Sequence, residues 1–157
     1  MPPLAAGEAV YRAGEMWKRP EVLQTVGDVY IRGSEVLGEM ELKPGIEEIT
    51  GPYMVHPVVL DGGFIASVTG LEEELLHPGD GQGMWIPFMI KNIYVRKPLK
   101  PEGRKYCWGK VTEVNTRVLT VDYSISDETG EVALEVEGLT GKYVGRDVLL
   151  GKEGKET

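Results

Sequence analysis

His56, Asp61 and the pair Gly62–Gly63 fall in one short segment, His56-Pro57-Val58-Val59-Leu60-Asp61-Gly62-Gly63-Phe64-Ile65-Ala66. A carboxyl group there can give or take a proton, or orient a hydroxyl. Backbone N–H groups at a helix start, left uncovered by glycine, can polarise a carbonyl oxygen. The same residues also suit plain construction: a carboxylate near a helix N-terminus, and glycines that let a helix lie close against strands. Spacing alone leaves both readings open. His56 reads first as the residue that fixes the loop entering the helix, with a catalytic use as the second reading. His77 sits in the loop His77-Pro78-Gly79-Asp80-Gly81-Gln82-Gly83 and reads as solvated.

Other reactive groups read more plainly. Cys107, the single cysteine, lies in Lys105-Tyr106-Cys107-Trp108 and reads as a buried strand thiol rather than a nucleophile. One cysteine cannot form an intramolecular disulfide, which suits a reducing compartment. Glu72-Glu73-Glu74 reads as a solvated helix end, and no spaced His, Cys and carboxylate cluster points to a metal. Trp85, Phe88, Tyr94, Tyr106 and Trp108 read as core or channel wall. Arg96, Lys97 and Lys100 read as surface charge, with contact to a carrier phosphate as the alternative.

The elements that must hold these residues are mostly strands. Val26 to Ile31 and Val36 to Leu42 form two runs joined by Gly33-Ser34, which reads as a hairpin. From His56 to Glu74, Leu60, Phe64, Ile65, Val68 and Leu71 recur at helical spacings, with Leu75 beyond. Pro57 is tolerated in a first turn, whereas Gly62 and Gly63 each cost a helix about 1 kcal/mol against Ala and so need a packing or functional reason. Strands return at Ile86 to Val95, Lys105 to Val114, Val118 to Ser126 and Val132 to Val144. The third of these alternates strictly through Leu119, Val121, Tyr123 and Ile125. Two strands, one apolar helix and four antiparallel strands predict an α+β chain with the sheet covering the helix. A curved antiparallel sheet wrapped around one long central helix is a single hotdog fold. The domain is expected over 20–146, after an irregular arm at 1–19 with a helical turn near Glu15 to Lys18, and before a polar flexible tail at 147–157.

Composition narrows the partners. The chain has 157 residues, 41% hydrophobic and 27% charged, enough for one soluble domain with its own core. A formal net charge of -8 argues against nucleic acid and against an anionic membrane surface. No run approaches a membrane span. The start, Met1-Pro2-Pro3-Leu4-Ala5-Ala6-Gly7-Glu8, lacks the basic and apolar regions of a signal peptide, and a cytoplasmic location is expected.

His56-Pro57-Val58-Val59-Leu60-Asp61 resembles the HPxxxD signature of polyketide synthase dehydratases, at the head of the second hotdog helix. Ile86-Pro87-Phe88, with Ile93-Tyr94-Val95 and Pro98-Leu99, resembles the strand that follows in that family. Asp127 to Val132, leading to Val136-Glu137-Gly138-Leu139-Thr140, resembles its closing hairpin, and Gly33 to Leu42 resembles the strand pair before the signature. The blocks run in order over roughly 20 to 145. Where the family has Tyr-Gly-Pro-x-Phe, Lys18-Arg19-Pro20-Glu21-Val22 keeps only the proline.

The resemblance implies the C-terminal hotdog half of a double-hotdog dehydratase domain. It implies a lyase that removes water from β-hydroxyacyl thioesters in polyketide or fatty-acid-type biosynthesis. Asp61 matches the aspartate that orients or protonates the leaving hydroxyl. Gly62, Gly63, Phe64, Pro87 and Phe88 are the expected substrate contacts. The family's catalytic histidine lies in the first hotdog, in a motif of the form HxxxGxxxxP. Neither His56 nor His77 stands in such a motif, so the missing histidine is expected from a partner. The expected ligand is an acyl thioester carried on phosphopantetheine or CoA, without a separate cofactor or metal. The expected partners are an acyl carrier protein and a second hotdog subunit, in a homodimer or heterodimer. Two alternatives stand beside this. Asp61-Gly62-Gly63-Phe64-Ile65-Ala66 also looks like the helix start of hotdog acyl thioesterases, where an acidic residue activates water. A non-catalytic acyl-binding or assembly subunit would keep the fold and the motif alone.

Overall fold

A computed structural model describes residues 25–42, 57–100 and 102–151. The expected N-terminal arm, the helical turn near Glu15 to Lys18 and His56 lie outside the described residues. Strands β1 (Val26–Arg32) and β2 (Glu35–Met40) form the first hairpin, with Gly33 at φ 62° in its turn. Helix α1 (Pro57–Val68) and the short α2 (Glu73–Leu76) follow. Then come β3 (Met84–Met89), β4 (Asn92–Val95), β5 (Lys105–Val114), β6 (Val118–Ser126), β7 (Val132–Val144) and a helical turn, α3 (Arg146–Leu149), at the start of the tail. The pairings are antiparallel, in the order β1-β2-β5-β6-β7-β3, with β4 also on β7. This is a hotdog fold, α1 being the helix that the sheet holds.

Alternation sets which side chains meet the helix. On β6, Leu119, Val121, Tyr123 and Ile125 all face inward and are buried. On β5 the inward residues are Lys105, Cys107 and Gly109, so Tyr106, Trp108 and Lys110 face outward. The helix is buried nearly all round, from Val58 and Val59 through Gly62 to Val68, as expected of a core helix.

The structure corrects two elements. The predicted helix runs past Leu71, but α1 stops at Val68. Ser67 Oγ donates to the Gly63 carbonyl (2.7 Å) and Thr69 Oγ1 to that of Ile65 (2.9 Å), local bonds that loosen a last turn. Gly70 follows, and α2 is a separate element. The predicted strand from Ile86 to Val95 is two strands. Their partner β7 bulges at Gly138, whose φ is 66°, and Lys91 N–H donates to the carbonyls of Glu137 and Gly138 across the break.

The β6–β7 turn is built around one carboxylate. Asp127 Oδ1 accepts from Thr129 N–H (2.9 Å), Thr129 Oγ1 (2.6 Å) and Glu131 N–H (3.2 Å), while its other oxygen pairs with Lys97. Lys97 also reaches Glu131 at 2.8 Å. The Lys97 ammonium, followed by the Thr129 hydroxyl, holds the Asp127 carboxyl well below the usual carboxylate range. Because the folded value lies below the unfolded one, this carboxylate supports the fold above the unfolded value, and the support is lost as pH falls through the folded one. Asp127→Ala should therefore lower the melting temperature near neutral pH. The gap from the wild type, followed by circular dichroism, should shrink below about pH 4.

Candidate active site

The geometry of α1 follows from what each residue of its second turn meets. A Cβ on Gly62 would stand 2.3 Å from Thr25 Oγ1 and 2.6 Å from Met40 Cε. A Cβ on Gly63 would stand 2.3 Å from Tyr123 Cε2. The Phe64 ring reaches β7, its Cζ 3.4 Å from where a Cβ of Gly141 would lie. Successive helical residues turn by about 100°, so these three sweep from β1–β2, through β6, to β7. Asp61, one step before Gly62, then falls beyond Phe64. By this rotation it lies on the flank of α1 next to that of Phe64, and it is half-buried.

Both glycines therefore face strands. As residues inside the helix, their N–H groups are committed to the carbonyls of Val58 and Val59. The glycines' requirement is the close approach of the sheet. Thr25 Oγ1, wedged beside Gly62, is buried and has no hydrogen-bond partner among the described residues.

Tyr123 is the site neighbour that sequence reasoning missed. Its ring fills the notch at Gly63, and its hydroxyl donates to the Leu60 carbonyl at 2.9 Å, the residue before Asp61. Burial, then the neighbouring Cys107 and Asp61, push the phenol well above its usual range. Only its place on the inward face of β6 was visible in the alternation. Cys107 is fully buried, and its Sγ contacts the Gly63 carbonyl at 3.7 Å. Burial pushes its thiol up to about 12, with Ser67 acting against it, which makes it a core thiol rather than a nucleophile.

The remaining predicted site residues separate onto two faces. Pro87 pairs in register with Gly141, the residue over the Phe64 ring, so Pro87 and Phe64 share the helix side of the sheet, Phe64 buried and Pro87 exposed at its edge. Phe88 lies under Lys142, whose Nζ is 4.5 Å from the ring centroid. Lys142 follows Gly141 along β7, so it faces the opposite way. Phe88 thus stands with Lys142 on the outer face, away from the helix, and does not join Phe64 and Pro87.

Tyr94 and Trp108 are likewise exposed, which corrects their reading as core or channel wall; Trp85 is buried. For Trp108 the reason lies in its neighbours on β5: Cys107 and Gly109 must face the helix, where a Cβ on Gly109 would stand 2.2 Å from Ser67 Oγ. Arg96 and Lys97 are committed locally, Arg96 to Glu135 at 2.6 Å and to the Tyr94 ring, Lys97 to the β6–β7 turn. His77 is half-buried in the loop before β3, and that loop is anchored by Trp85 Nε1 donating to the Leu76 carbonyl at 2.9 Å. Glu72 and Glu74 are exposed.

Lys105, read as an ordinary strand residue, points inward and is buried, with Nζ donating to the carbonyls of Glu102 (3.3 Å) and Gly103 (3.0 Å). Burial lowers its pKa, while Glu102, Glu41 and Glu128 act against this. It lines a surface cleft of about 270 Å³ with Lys97, Lys100 and Asp127, and a second cleft of about 260 Å³ lies along Thr25, Glu39 and Arg104; neither includes Asp61. Among the described residues no three His, Cys, Asp or Glu side chains gather as a metal site, and no helix is long and apolar enough to cross a membrane.

Residues 21–151 match the family described as the polyketide synthase dehydratase N-terminal domain. The phthioceranic/hydroxyphthioceranic acid synthase of Mycobacterium tuberculosis is 28% identical over 107 residues, 66% of this chain and 5% of that protein. Polyketide synthase PksM of Bacillus subtilis is 21% identical over 119 residues, 75% of this chain and 3% of the relative. Among solved structures, the dehydratase domain from the CurJ module of curacin polyketide synthase superposes with a TM-score of 0.75 at 19% identity, over 96% of this chain and 52% of that one. The dehydratase domain of PpsC from Mycobacterium tuberculosis, solved in complex with C12:1-CoA, gives 0.74 at 15% identity, over 91% and 52%. The chain thus spans about half of these solved dehydratase chains and a few per cent of the curated relatives.

Proposed function

The chain belongs to the polyketide synthase dehydratase family, and from that premise we propose that it is the aspartate-bearing half of a dehydratase acting on β-hydroxyacyl thioesters. The observation that carries this reading is the place of Asp61: half-buried on the flank of α1 beyond Phe64, on the side of the sheet that ends in β3 and β4. Its correspondence to the second half of the domain rests on the His56-to-Asp61 signature.

In this reaction a base removes the proton α to the thioester carbonyl. The electron pair moves into the bond between the α and β carbons. The bond to the β-oxygen breaks, and that oxygen takes a proton from the Asp61 carboxyl and leaves as water. The Phe64 and Pro87 side chains wall the acyl chain. The thioester is carried on phosphopantetheine, from an acyl carrier protein or CoA.

The base is a histidine from a second hotdog unit docked along β3–β4. Ile86, Met89, Ile90, Ile93 and Val95 are exposed along that edge, and an open apolar edge is the kind that recruits another strand. Docking there brings the second unit alongside the flank that bears Asp61.

The test is an assay of a short 3-hydroxyacyl thioester, followed by enoyl absorbance and by free-thiol release. The chain alone should be silent in both, and adding a histidine-bearing hotdog half should produce the enoyl product. Ile93→Lys, which puts a charge on the edge, should abolish that rescue. Thiol release by the chain alone would instead support a thioesterase. Silence with the second half bound would leave only the non-catalytic role.

A further inference from the structure

The outer face of the sheet, opposite the helix, is ordered in rows by strand register. One row runs across Tyr30, Leu37, Trp108 and Ser124, paired strand to strand from β1 through β2 and β5 to β6. Leu37 is 41% exposed and Trp108 45%, so the centre of this row is an open apolar pair. The next row runs across Arg32, Glu35, Lys110 and Asp122 in the same strand order. Its charges alternate: positive, negative, positive, negative. Among the described residues Arg32, Glu35 and Lys110 make no ion pair. Asp122 is held in place by the Gly138 N–H at 2.8 Å on one oxygen.

A row of this kind complements itself when reversed. Consider a two-fold axis in the contact plane, parallel to the strands and midway between β2 and β5. It sets Glu35 of one copy against Lys110 of the other, and Arg32 against Asp122. The same operation sets Leu37 on Trp108, so each contact occurs twice, as an isologous interface requires. The apolar pair supplies the centre and the four ion pairs the rim, the usual anatomy of a specific contact. No shift of one strand keeps this match, because sliding the copies sideways by one strand puts like charges opposite each other.

We propose that the outer face around Leu37 and Trp108 is a self-association surface, and that its partner is a second copy of this chain stacked sheet to sheet. This contact is separate from the β3–β4 edge, which lies on the far side of β6 and β7. It therefore stands or falls independently of the dehydratase reading.

The experiment is sedimentation of the full chain over a range of concentrations, in an Ile93→Lys background that silences the edge. The background protein should dimerise through the face, more weakly as salt is raised. Glu35→Lys and Lys110→Glu should each weaken that dimer by roughly a hundredfold, since each puts two like-charge pairs at the rim. The double variant Glu35→Lys/Lys110→Glu should return the association to within about threefold of the background. If Ile93→Lys does not fold, the same charge variants in the wild-type chain read the second step of assembly, beyond any edge dimer. A chain that shows no face association, single variants that associate as the parent does, or a double variant no better than the singles would each overturn the proposal.

Discussion

Asp61→Asn is expected to lower the dehydration rate of the chain paired with its histidine-bearing half by about a thousandfold. The amide has the shape of the carboxyl and can still accept a hydrogen bond. It has no proton to give the departing hydroxyl, so the loss falls where the bond to oxygen breaks. The effect should appear in kcat with KM nearly unchanged, because Phe64 and Pro87 still hold the acyl chain. The melting temperature should move little, since asparagine keeps the size and shape of the side chain. Steady-state kinetics on a 3-hydroxyacyl thioester, with a thermal melt of the same sample, separates this from a folding defect. Equal rates in the two proteins would remove Asp61 from the mechanism.

Gly63→Ala is expected to destabilise the fold by about 2 kcal/mol or more. Alanine is the better helix former by about 1 kcal/mol, and at a site with room that gain would dominate. Here the added methyl would stand 2.3 Å from Tyr123 Cε2 and 2.7 Å from Cδ2. The ring cannot swing clear, because Tyr123 is 3% exposed and its hydroxyl is tied to the Leu60 carbonyl. The melting temperature should fall by roughly 5–10 °C. Tyr123→Val opens the notch, so the Gly63→Ala/Tyr123→Val pair should be more stable than the sum of the single losses predicts. Additive losses would show that the ring and the helix do not meet as described.

These two positions also mark how far the sequence can be read. The helix around Leu60, Phe64, Ile65 and Val68 was visible in its spacing, and so was the inward set of β6, whose alternation is unbroken. The hairpins at Gly33-Ser34 and at Asp127 to Gly130 were visible because turn chemistry is local. What was hidden depends on partners distant in the chain. The break between β3 and β4 answers a bulge at Gly138, far along on β7. The outward place of Trp108 follows from β5 meeting the helix at Cys107 and Gly109, a choice of parity that aromatic content misreads. At the site, the HPxxxD signature pointed to Asp61, but nothing along the chain tied it to Tyr123. Phe88 stands beside Pro87 in sequence, yet one strand step carries it to the other face of the sheet.

A structure of the chain joined to its histidine-bearing half, with a 3-hydroxyacyl thioester bound, tests the catalytic reading at the reacting atoms. The β-hydroxyl should lie within hydrogen-bond reach of the Asp61 carboxyl, with the second unit's imidazole facing the α carbon and the acyl chain running past Phe64 and Pro87. An acyl chain seated in either surface cleft, with Asp61 left facing bulk water, would contradict it.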